Sequence, residues 1–209
     1  MPIAAFANTA SFDAPVDWAR IDRWASEIAG SGESNVVTEF SGEYGREASL
    51  IWDPSVDKIS SNVLQFLLTY WLGLRNGRGT PRPEQINPLE MRPALGYVAL
   101  VDPIDGGRDF RYRLYGTVLA SISDIDMTGK LLSELKASRS VRELSLASYR
   151  AALQRPQPIY LVRSPGGAVL TAQWHRLTLP LFDDAGRVIR FLTGSVPITG
   201  TGAVLMTRL

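Results

Sequence analysis

Phe110-Arg111-Tyr112-Arg113-Leu114-Tyr115-Gly116-Thr117 is the stretch on which the reading of the fold turns. Side chains alternate across a strand, so Phe110, Tyr112 and Leu114 share one side and Arg111, Arg113 and Tyr115 the other. That pattern predicts an antiparallel strand with one buried face. Gly116 stops it, and from Val118 to Ile122 the spacing turns helical. Thr128-Gly129 then leads into Leu131, Leu132 and Leu135. A strand followed by a broken helical connection predicts a cup rather than a flat layer.

Working outward, Tyr97 to Val101 reads as a strand, and the turn with Gly106-Gly107 makes 109–115 its hairpin partner. Ser140 and Glu143 have capping-box spacing, opening a helix to about Gln154 that Pro156 and Pro158 end. Strands follow over 159–163, 169–181 and 188–198, parted by turns at Pro165-Gly166-Gly167 and Asp183 to Gly186. Upstream, Asn62 to Arg75 is a helix whose apolar residues cover nearly its whole circumference. Such a helix must be covered on more than one side, and a second copy is the expected cover. Leu64, Leu67, Leu68 and Trp71 are the candidate dimer interface.

Asp17 to Ala29 is an amphipathic helix with Ile21, Trp24, Ala25 and Ile28 on one stripe. Residues 30–60 are rich in Gly, Ser and Glu and read as lying outside the core, with short strands open at Val36-Val37 and Leu50-Ile51-Trp52. The chain thus divides into an N-terminal extension with one helix (1–60), a core domain (61–198) and a tail (199–209).

With 22 basic and 21 acidic residues in 209, the chain lacks the basic excess of a nucleic-acid binder. The absence of cysteine excludes disulfides, thiol nucleophiles, cysteine-held metal and a cysteinyl-flavin adduct. A lone histidine, His175, rules out a His-rich metal site. Asp102, Asp105 and Asp109 lack the glutamate that would complete a calcium loop, so no metal is expected. The first residues have no signal-peptide pattern and no apolar run reaches membrane length, so a soluble, cytoplasmic protein without membrane insertion is expected.

Tyr70-Trp71 with Leu74, Pro81 and Pro88, then Tyr97 to Asp102, Tyr112-Arg113-Leu114 with Gly116-Thr117, and Thr128-Gly129 resemble a proteobacterial group of small stand-alone PAS-like proteins. Thr178-Leu179-Pro180-Leu181 and the turn after it are similar to the closing hairpin of PAS domains, and the resemblance covers about 61–198. It implies an α+β fold with a five-stranded antiparallel sheet, helices across one face, and an N-terminal helical extension. A parallel sheet, or helices on both faces, would end this reading. It further implies a sensory or interaction domain, often a homodimer, that holds a small molecule or meets a downstream regulatory protein. Haem is not expected, because His175 sits in a strand pattern.

Candidate ligand contacts are Tyr112 and Leu114, or Arg113 if the strand faces the other way, with Tyr149, Trp174 and His175. An inward arginine without a carboxylate would call for an anionic ligand. The alternatives are an isomerase or hydratase on a cone-shaped α+β scaffold and a purely structural dimerising adaptor; no catalytic residue is assigned.

Overall fold

The computed structural model describes residues 14–44, 47–75, 79–164 and 173–198. The turn expected at 165–167, the start of the strand expected from 169, and the 199–209 tail lie outside these residues. In chain order the elements are α1 (Trp18–Ala29), α2 (Glu33–Tyr44), β1 (Ala48–Trp52), α3 (Asn62–Leu74), β2 (Val98–Ile104) and β3 (Asp109–Tyr115). They continue with α4 (Thr117–Ser123), α5 (Arg139–Gln154), β4 (Ile159–Arg163), β5 (Gln173–Phe182) and β6 (Val188–Ile198). All pairings are antiparallel, in the order β1-β4-β5-β6-β2-β3. The five expected strands are present, and β1 adds a sixth by pairing Leu50 with Leu161 on the β4 edge.

Both faces of the central strands are buried, which corrects the expectation of helices on one face. On β6, Phe191 faces the core under α5, and Thr193 bonds Tyr149 of α5. Leu192 and Val196 face the other way, toward α3, and Leu64 and Leu67 of α3 close on Gly194. A Cβ at Gly194 would meet their methyl groups at 2.5 and 2.7 Å, so glycine there lets the helix seat on the sheet. Leu64, Leu67, Leu68 and Trp71 are therefore buried against this chain's own strands, with the Trp71 indole donating to the Pro180 carbonyl at 2.9 Å. They are core residues, not a free interface. The helix needs two-sided cover as the sequence indicates, and the sheet supplies one side of it.

The N-terminal extension holds two helices and a strand rather than one helix, and it is part of the core. Val36 and Phe40 are one helical turn apart and fully buried, so the Val36-Val37 pair belongs to a helix, not a strand. α1 lies along α5, and Ile21, Trp24, Ala25 and Ile28 are buried as their spacing indicates. The expected capping box on α5 does not form, since the N-cap is Ser138. Glu143 is instead buried, accepting from the Asp17 backbone N–H at 2.7 Å and Arg139 Nε at 2.6 Å. Its carboxylate thus ties the start of α1 to α5. The guanidinium groups of Arg108 and Arg150 both lie over the Trp18 ring, 5.1 and 5.2 Å from its centre. Arg150 also holds Asp22 and the Arg108 carbonyl.

Candidate functional site: a polar cup beneath α5

The cup lies between the sheet and the α4–α5 side. β3 enters it with a bulge. Val101 pairs with Tyr112 but Leu100 with Leu114, so Arg113 is the extra residue and the side-chain parity changes across it. Phe110 and Tyr112 point inward, Arg113 and Leu114 both point out, and Tyr115 returns to the inner side with its ring 5.2 Å from that of Tyr112. A regular strand would have put Leu114 inside.

Tyr149 is the centre of the roof. Its ring is 5.0 Å from Phe110 and 5.2 Å from Phe191, and its hydroxyl shares a 2.9 Å hydrogen bond with Thr193 Oγ1. Below it, Arg176 comes from β5. On that strand His175, Leu177, Leu179 and Leu181 face α3, so Arg176 and Thr178 face the cup. The Arg176 guanidinium lies 5.9 Å from the Tyr149 ring centre. Its Nε makes a long contact of 3.4 Å to Ser195 Oγ, and its Nη1 is buried without a hydrogen-bond partner among the described residues, although the side chain as a whole is half-buried. Ser145, one turn before Tyr149 on the same side of α5, has a buried hydroxyl that is likewise unpartnered. At the rim, Arg163 of β4 stands over the half-buried Trp174 ring at 5.9 Å, on the same side of the sheet as Leu161.

Burial pushes the phenols of Tyr112, Tyr115 and Tyr149 well above the usual tyrosine value, against a smaller opposing pull from Arg176. All three are neutral hydroxyls near neutral pH, able to donate or accept but not to act as bases.

Of the residues picked from the sequence, the structure brings together Tyr112, Tyr149 and Trp174. Arg113 is outside the cup, 60% exposed, with Nε donating to Asp102 Oδ2 at 2.9 Å. Asp102 also accepts from Arg190 at 2.5 Å. Leu114 is 40% exposed, on the outer side of the bulge. His175 is buried on the opposite face of the sheet, hydrogen-bonded through Nδ1 to the Tyr160 hydroxyl. The sequence reading did not single out Arg176, Ser145, Tyr115, Thr178, Thr193 or Ser195. The available signal was the alternation of 173–182, where Arg176 and Thr178 oppose the leucines; read alone, that polar side looks like a solvated one.

Among the described residues no helix is long and apolar enough to cross a membrane. No curated protein and no solved structure matches the chain. The PAS domain family matches residues 59–196. The matched range contains α3, so helices on both faces do not end the PAS reading as expected from the sequence: the helix on the outer face falls within the family's domain. Sheet order, cup and matched span, which covers well over half of the sequence, agree: the chain belongs to the PAS domain family, whose members are sensory and regulatory modules.

Proposed function

We propose that the chain is a sensory module that recognises a small molecule in the cup beneath α5 and signals through protein contacts. The observation that carries this is Arg176, whose buried Nη1 meets no acceptor among the described residues while rings and hydroxyls surround it. Arg176 as a whole is half-buried, but leaving its enclosed Nη1 without an acceptor is costly, which favours a ligand that supplies one. The isomerase alternative would need a base beside the phenols, and burial keeps the tyrosines themselves protonated.

The partner surface we propose is the outward side of α3, where Val63, Phe66, Tyr70 and Leu74 are half-buried and Leu72 is 41% exposed. A second copy of the chain is the occupant we infer, since the helix is apolar on this side as well. Native mass spectrometry of gently desalted protein tests the sensory reading. A small molecule that leaves on denaturation is expected. A bare chain that no small molecule in a metabolite panel stabilises against heat would favour the dimerising adaptor instead.

A further inference from the structure

We infer that Arg176 is the anchor of the cup and that its ligand is a small organic monocarboxylate with an aromatic or aliphatic body. This rests on the sensory reading above and adds the ligand's chemistry.

The other arginines near the cup show what is unusual about Arg176. Arg190 and Arg113 share Asp102 on the outer side, and Arg150 has Asp22 and the Arg108 carbonyl. Among the described residues Arg176 has the distant Ser195 hydroxyl and a ring face, and neither offsets its charge. Among the described residues no carboxylate pairs with this half-buried guanidinium, and the shape that would complete it is planar and two-pronged. A carboxylate presents two oxygens to the guanidinium fork, which is the geometry that arginine pairs with best.

The surroundings define the rest of the ligand. The rings of Tyr112, Tyr115 and Tyr149 form the near walls, with Phe110 and Phe191 behind Tyr149. Such walls suit an apolar body, since rings bury apolar surface and stack on other rings. The unpartnered buried donors on this side are few, Arg176 Nη1 and the Ser145 hydroxyl. A phosphate group, with up to two charges and three acceptor oxygens, would leave part of its demand unmet, whereas a single carboxylate matches it. The Ser145 hydroxyl then serves as a second polar contact, either to the carboxylate or to a substituent on the body.

Benzoate, phenylacetate and hexanoate, each with its matched neutral amide, are titrated by calorimetry into wild type and Arg176→Met, with inorganic phosphate as a further arm. At least one carboxylate is expected to bind wild type, to lose about tenfold or more in affinity in Arg176→Met, and to be preferred over its amide. Free of probes, Arg176→Met should melt no lower than wild type, because it removes a half-buried charge with one buried unpartnered nitrogen while keeping most of the volume. If Arg176→Met fails to fold, Arg176→Lys takes its place: it keeps the charge, loses the fork, and should bind the carboxylate more weakly. An amide binding as well as its acid, equal binding by the variant, or binding of phosphate alone overturns the monocarboxylate and leaves the sensory reading standing. No binding by any probe, with a neutral molecule found by native mass spectrometry, does the same. No binding by any probe and a bare chain in the mass spectrum overturns both.

Discussion

His175 is buried on the α3 face of the sheet, and that burial holds its pKa below the usual imidazole value. The unfolded chain therefore takes up a proton near pH ~6.5 while the folded chain does not. Stability associated with neutral His175 is fully present above that pH and is lost as the pH falls toward the folded value. The melting-temperature gap between wild type and His175→Gln should accordingly narrow between neutral and mildly acidic pH; a constant gap would show that burial does not control this proton. Asp102 acts lower on the scale. Burial raises its pKa, but the hydrogen bonds from Arg190 and Arg113 outweigh that and hold it below the usual carboxylate range. Its contribution is present above the ordinary aspartate value and disappears as acid protonates the folded form. Because Arg113 is largely exposed, Arg113→Ala should cost less than about 1 kcal/mol in urea unfolding. The contrast between Arg113 and Arg176 shows how far single residues were legible. Both alternate with neighbours that look alike in sequence. Alternation with the inward Tyr112 leaves Arg113 outside, where the bulge turns Leu114 out beside it, and a second buried face turns Arg176 in; neither the bulge nor that second face leaves a mark in local periodicity.

Among the elements, α3 changes meaning most between sequence and structure. Its all-round apolarity correctly indicates cover on more than one side, but periodicity cannot say that β5 and β6 provide part of it. Leu67→Ala should therefore destabilise the fold by about 2–5 kcal/mol, the usual range for truncating a buried leucine. Leu67→Arg should unfold the chain rather than release folded monomers, which circular dichroism alongside sedimentation would distinguish. Gly194→Val should produce a similar loss, because its side chain would push into Leu64 and Leu67. Most strands and the long helices were legible, since alternating and helical spacings persist over several residues there. α2 was not, because Val36-Val37 looks β-like until Phe40 is seen to share its buried stripe. β1 was only half legible, since five residues at a sheet edge become a strand through their pairing with β4.

At the scale of the whole molecule, the N-terminal segment closes the cup side of the sheet: α1 lies along α5, and α2 packs on α1 and on β1 at the sheet edge. The composition of residues 30–60 reads as lying outside the core, because Gly, Ser and Glu dominate between the few residues that make contact. Trp24→Ala, at a fully buried position of α1, should cost about 3–5 kcal/mol. Removing residues 1–53 should expose apolar surface on α5 and raise the fluorescence of a bound hydrophobic dye; a truncated chain that stays dye-free and melts like wild type would refute the cover of α5 by the N-terminal segment. Thirteen of the sixteen residues of α5 are buried. For the clock of amide exchange, this means that the backbone protons of α5 cannot be reached by fraying of an outer surface. They should trade for deuterium only when the molecule as a whole opens, and so be among the last in the chain to do so.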